Sequence, residues 1–163
     1  MHANRLPQLS ALVCGLAVLP LAACSPAATV EPAPEAADPE CASIMLALPE
    51  EIGEFQQRET TSQGTSAWGD PSRVVLRCGV EPPGPQPEHC VTAEGVDWLA
   101  VEDEDNSWTL TSYGREPAVE VLLEVDEVAS STVMVSLASA VERVDQTREC
   151  TSVDQAIDST EDA

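Results

Sequence analysis

The chain has 163 residues, with 29 acidic side chains against seven basic ones, all arginine, and a formal charge of −22 at neutral pH. That balance excludes a nucleic-acid binder that works by neutralising phosphates, because each released counterion needs a cation on the protein. The lack of lysine excludes Schiff-base chemistry, the few aromatic residues leave little for a stacking platform, and the length suits one domain.

Residues 1–8 carry one positive side chain, Arg5, and lead into an apolar stretch from Leu9 to Ala23. The stretch falls short of the roughly 20 residues that span a bilayer and is interrupted by Pro20, which suits the hydrophobic region of a secretory signal. It ends in Leu21-Ala22-Ala23-Cys24, which resembles the lipobox of bacterial lipoproteins. The resemblance implies that residues 1–23 are a lipoprotein signal peptide and that Cys24 becomes an acylated N-terminus. The lipid would then hold the protein on the extracytoplasmic face of the cell membrane. Residues 24–40 follow as a Pro/Ala-rich segment with four acids. Such a composition favours extended chain at about 3.1 Å per residue, so a tether is expected, keeping an acidic domain clear of an anionic leaflet.

Cys14 leaves with the signal and Cys24 takes the lipid, so Cys41, Cys78, Cys90 and Cys150 remain. An even number in an exported chain reads as two disulfides. A four-thiolate zinc site usually uses close pairs of cysteines, and none exists here. The proline-rich stretch Gly79–His89 disfavours a Cys78–Cys90 bridge. Two pairings then remain, and the expectation adopted is Cys41–Cys78 with Cys90–Cys150, which marks the folded domain as residues 41–150.

Within those limits Cys41, Ile44, Met45 and Leu48 recur at helical spacing and Pro49 stops the run, predicting a short helix. Val74, Leu76, Cys78 and Val80 alternate with Arg73 and Arg77, which predicts a half-buried strand over residues 73–80. Two further period-two runs, Val96–Val101 and Trp108–Tyr113, flank Glu102-Asp103-Glu104-Asp105-Asn106-Ser107 and predict a hairpin with acids at its tip. Val119, Val121, Leu123 and Val125 alternate with Glu120 and Glu124 as another strand. Val133, Met134, Leu137, Val141 and Val144 then predict an amphipathic helix capped at Ser130 or Ser131. Residues 151–163 carry four acids and few apolar groups and read as a disordered tail. The fold class expected is α+β: a small antiparallel sheet of three to four strands, packed by the C-terminal amphipathic helix and stapled by disulfides.

Four motifs in order, Trp68-Gly69-Asp70-Pro71, Val75-Leu76-Arg77-Cys78-Gly79-Val80, Gly95-Val96-Asp97-Trp98 and Tyr113-Gly114-Arg115-x-Pro117-Ala118-Val119-Glu120-Val121, resemble the DUF3515 family of actinobacterial proteins. The resemblance covers about Cys41 to Cys150. It implies an exported, often lipid-anchored protein and supplies no activity to carry over.

Trp68, Asp70, Arg77, Asp97 and Arg115 form the candidate binding surface. Trp68 suits an exposed anchor or a plug at the sheet edge, with Asp70 and Pro71 making the turn. Asp97 and Trp98, adjacent on a strand, point to opposite faces, so Trp98 is expected in the core and Asp97 exposed or paired. Arg77 and Arg115 stand out because cations are scarce; they suit an anionic ligand or neutralise nearby acids. Glu102–Asp105 lacks the spaced ligands and bend glycine of a calcium loop, so no metal is expected. His2 leaves with the signal, and His89 would have to serve any dyad alone. The function expected is therefore a non-enzymatic interaction or assembly module, without cofactor or nucleic acid, whose partner is an envelope protein or wall component. The alternatives are a small carboxylate-dependent hydrolase of wall glycan and a carrier of a small ligand.

Overall fold

The computed structural model describes residues 26–86, 89–103 and 106–151. In chain order these form α1 (Pro39–Met45), β1 (Glu51–Ile52), β2 (Phe55–Arg58), β3 (Thr65–Trp68), β4 (Val74–Val80), β5 (Cys90–Ala93), β6 (Val96–Glu102), β7 (Ser107–Ser112), β8 (Ala118–Glu124) and α2 (Ser130–Val141). The expected signal peptide, Cys24, the acids Glu104 and Asp105, and residues 152–163 lie outside the described residues.

The four strongest alternating runs become β4, β6, β7 and β8, and the two helical runs become α1 and α2. Asp38 caps α1 by accepting from the Glu40 N–H at 2.8 Å, with Pro39 in the first turn. The cap residue of α2 is Ala129, and neither serine makes a side-chain cap bond.

The expected sheet of three to four strands is overturned. All the strands join one eight-stranded antiparallel sheet in the order β1-β2-β3-β4-β8-β7-β6-β5, and the fold is mostly β with two short helices. Four strands escaped the pattern reading for physical reasons. β1 is two residues long, β2 (FQQR) has a single large apolar side chain, and β5 (CVTA) is a short edge strand. β3 (TSAW) is buried at every position, so it has no wet face to alternate with. Its polar groups are satisfied locally: Gln57 Nε2 donates to Ser66 Oγ at 2.9 Å, and Thr65 Oγ1 donates to the Ser62 carbonyl at 2.6 Å.

The sheet consists of two four-stranded meanders, β1–β4 and β5–β8, joined where β4 pairs with β8. Val74, Leu76 and Cys78 of β4 and Val119, Val121 and Leu123 of β8 share one face with Leu110 of β7 and Trp98 of β6. Both helices cover that face, contributing Ile44 from α1 and Val133, Leu137 and Val141 from α2 to a single core. The opposite face carries Val75 and Arg77, Glu120 and Leu122, Thr109 and Thr111, Leu99 and Val101.

Residues 26–40 are not a free spacer. Ala28 bridges Thr60 in parallel, Glu35 N–H donates to the Gly79 carbonyl at 3.0 Å, and Ala33 packs on Val80 and Ala118. Alanine has no periodicity to betray burial, yet its small side chain lets backbone lie against backbone, and Ala33 and Ala36 are both buried. At the other terminus, residues 144–150 leave α2 and pass round the same end of the sheet, where Thr147 N–H donates to the Gly114 carbonyl at 2.7 Å. Glycines make room for both segments. Gly79, at φ +93°, has the Glu35 backbone where a Cβ would stand, and Gly114, at φ +75°, has that of Arg148.

The bridges are Cys41–Cys78 and Cys90–Cys150, with Cα separations of 5.7 and 5.8 Å. The first ties α1 to the central strand β4 and the second ties the C-terminal segment to the edge strand β5. In the chain-entropy model each is worth about 4 kcal/mol.

Candidate functional site

The five residues expected to form one surface occupy three separate places. At the turn between β3 and β4, Trp68 is fully buried and its indole N–H donates to the Pro49 carbonyl at 3.1 Å. It is the plug of the two readings, seated in the core. Asp70 lies exposed beyond it and meets Arg58 Nη1 at 2.9 Å. Arg58 also donates to the carbonyls of Gly69 at 3.1 Å and Pro26 at 2.8 Å. One guanidinium therefore ties β2, the β3–β4 turn and the N-terminal segment together.

Arg77 stands in register with Glu120 across the β4–β8 junction. Its Nε and Nη2 both donate to Glu120 Oε1, at 2.9 and 2.5 Å, with both side chains partly exposed. A cation held by two bonds to one carboxylate oxygen is neutralised in place, which is the ion-pairing alternative. Val75, Leu122, Thr109 and Val101 run beside this pair in one row across four strands, and Leu122 is 39% and Val101 36% exposed.

Asp97 and Arg115 are buried, at 6% and 5% exposure. Asp97 leaves the strand on the face opposite Trp98, as the period of two requires, but the C-terminal segment covers it. Asp97 Oδ1 accepts from Thr92 Oγ1 at 2.5 Å, and Oδ2 accepts from Gln146 Nε2 at 2.8 Å and the Cys150 N–H at 2.7 Å. Arg115 donates to the Val144 carbonyl, to the Gly95 carbonyl at 3.4 Å and to Gln146 Oε1 at 3.3 Å. Gln146 thus stands between the two charges, donating to one and accepting from the other. Desolvation pushes the Arg115 guanidinium below its ordinary value, while Glu142, Asp97 and Asp145 pull it back up. Arginine stays protonated at neutral pH, so the cluster holds a buried cation and a hydrogen-bonded carboxylate.

Chemically this arrangement is a clasp. Both oxygens of Asp97 are engaged by donors, which fits a locking role better than proton transfer. The shallow cleft beside it, about 270 Å³, is lined by Thr92, Gly95, Asp97, Gln146, Glu149 and Cys150. Sequence reasoning missed Gln146 and Arg58, the two residues that connect distant segments. Gln146 sits in a polar stretch after α2 with no periodic signal, and Arg58 lies in a strand too short to show one. Among the described residues no group of three or more His, Cys, Asp or Glu is placed to hold a metal ion, and no helix is long and apolar enough to cross a membrane.

Fold and site together define a mostly-β domain of one antiparallel sheet, closed by a disulfide and a buried polar clasp at its C-terminal segment. The chain belongs to the DUF3515 family, described as a protein of unknown function, whose family model matches residues 9–150. No curated protein and no solved structure matches it.

Proposed function

We propose that this is a lipid-anchored protein of the cell envelope whose domain acts as a non-enzymatic interaction module on the outer face of the cytoplasmic membrane. The observation that carries the address is the pair of disulfides, which persist in oxidising compartments, in a chain whose apolar stretch from Leu9 to Ala23 runs into Cys24 as Leu21-Ala22-Ala23-Cys24. On this reading the Cys24 thiol takes a diacylglyceryl group from a phospholipid as a thioether, releasing the phosphorylated headgroup, and hydrolysis of the Ala23–Cys24 bond frees the new N-terminus. The module half draws support from the sheet face without helices, where Val75, Leu122 and Val101 lie around the Arg77–Glu120 pair. An apolar row bordered by a neutralised charge pair suits a protein surface. Trp68, Asp97 and Arg115 drop out of the binding face because they are buried.

The test is crosslinking and affinity recovery of the intact protein from its own membrane, with Leu122→Asp as the comparison. Recovery of one partner that is lost in the variant supports the reading. Turnover of wall muropeptides by the pure domain, with no partner recovered, overturns it in favour of a hydrolase.

A further inference from the structure

The segment that leads from Cys24 to the domain is folded onto it. Arg58 Nη2 holds the Pro26 carbonyl at 2.8 Å, Ala28 N–H donates to the Glu59 carbonyl at 2.8 Å, Thr61 N–H donates to the Ala28 carbonyl at 3.0 Å, and Ser62 Oγ donates to the Val30 carbonyl at 2.5 Å. Ser25 alone separates Pro26 from Cys24. Two residue steps of extended chain reach about 7 Å at most, so a lipid on Cys24 leaves the domain no slack.

The corner reached by that short lead carries the most exposed large apolar side chain of the described residues. Leu46, at the C-terminal cap of α1, is 89% exposed. It borders a mostly apolar groove of about 440 Å³ whose walls include Ala36, Ala37, Asp38, Pro39, Ala42 and Met45. Met45 and Arg58 line a further cleft together, which places α1 beside the residue that holds Pro26.

We infer that this corner, formed by α1, the loop after β2 and residues 26–30, rests on the bilayer, with Leu46 entering the boundary between headgroups and acyl chains. The inference depends on the proposed lipid on Cys24. The occupant of the groove and of the Leu46 site is lipid, because the anchor brings the bilayer to this corner before any soluble partner can occupy it. The contact is apolar rather than electrostatic. Arg58 is already paired with Asp70, and Glu50, Glu51, Glu54 and Glu59 are exposed nearby, so anionic lipid opposes the approach.

The experiment places an environment-sensitive fluorescent residue at position 46 or, as the control, at Val135 on α2, in full-length acylated protein reconstituted in phosphatidylcholine vesicles with a minor share of phosphatidylglycerol. Quenching by aqueous iodide is expected to fall severalfold at position 46 on reconstitution and to stay unchanged at position 135. A Gly/Ser insertion between Ser25 and Pro26 is expected to restore quenching at position 46 while the protein stays membrane-bound. Equal quenching at both positions in acylated protein overturns the inference and leaves the lipid on Cys24 standing. Intact mass showing no lipid in protein recovered from the native membrane overturns the anchor reading, and this inference with it. Shielding of position 46 in vesicle-free Cys24→Ala protein would mark a face between copies and would also overturn it.

Discussion

The backbone N–H of Cys150 donates to Asp97 Oδ2 at 2.7 Å, while the Cys150 sulfur is bonded to Cys90 on the edge strand beside Asp97's own. One residue thus closes the C-terminal segment over the sheet twice, covalently and through a buried carboxylate. Asp97→Ala would leave the Cys150 N–H and the Thr92 hydroxyl without this acceptor, leave the Gln146 amide only the Arg148 carbonyl, and remove one of the three carboxylates, with Glu142 and Asp145, that offset the Arg115 cation. We expect the loss of three hydrogen bonds to a charged acceptor to cost about 3–5 kcal/mol in urea unfolding, and Asp97→Asn, which keeps the shape and loses the charge, to cost about 1.5–3 kcal/mol.

Arg115 serves three acceptors with one planar fork, which the single ammonium of lysine cannot reproduce. Arg115→Lys should therefore destabilise by about 1–3 kcal/mol. The sign of the pH effect follows from the downward shift. The folded form releases this proton before the unfolded one, so the group's contribution rises with pH, and only in strongly alkaline solution. Between about pH 6 and 9 the gap between wild type and variant should be flat in equilibrium unfolding.

Gly79 and Gly114 combine a left-handed φ with a backbone neighbour in the place of a Cβ. Alanine at either should cost at least about 1–2 kcal/mol, from the backbone conformation alone before any displacement. Gly84, which has nothing within 4 Å of its missing Cβ, is the control, and Gly84→Ala should stay within about 0.5 kcal/mol of wild type. Thermal unfolding of the three variants checks this.

Arg77 and Glu120 form a partly exposed cross-strand pair at the junction of the two meanders. A double-mutant cycle to alanine should return a coupling of no more than about 1 kcal/mol, shrinking as salt is added. Tight, salt-sensitive binding of an anionic polymer that is lost in Arg77→Ala would instead mean that the pair opens for a ligand.

Removing either bridge by paired Cys→Ser substitution should cost about 4 kcal/mol. The two losses should differ in place. Without Cys90–Cys150, limited proteolysis should cut residues 144–150 first, whereas without Cys41–Cys78 the early cuts should fall around α1.

The strands legible in the sequence were those with one wet and one dry face, and they form the middle of the sheet. Val74–Val80 and Ala118–Glu124 alternate because helices cover one side and solvent the other. Where both sides are covered, as at Ala67 and Trp68, alternation vanishes and the strand reads as a loop. The candidate site failed for a related reason. Arg115 stands out as a scarce cation and Asp97 reads as exposed or paired, which puts both on a candidate binding surface, but their burial depends on residues 144–150 folding back. That return is written in Gln146 and Cys150, whose partners lie 49 and 53 residues away in Asp97, a separation no local pattern records.

The joining of the two meanders bears on how the chain must assemble. β4 belongs by sequence to the first meander, but its second neighbour is β8, and Arg77 waits for Glu120, 43 residues later. In any synthesis or translocation that proceeds from the N-terminus, the first four strands emerge with the edge of Val74, Leu76 and Cys78 open. An open apolar edge is a template for pairing with another chain. A chain ending before Ala118 should therefore self-associate, and the last strand to emerge is the one that makes the first half safe.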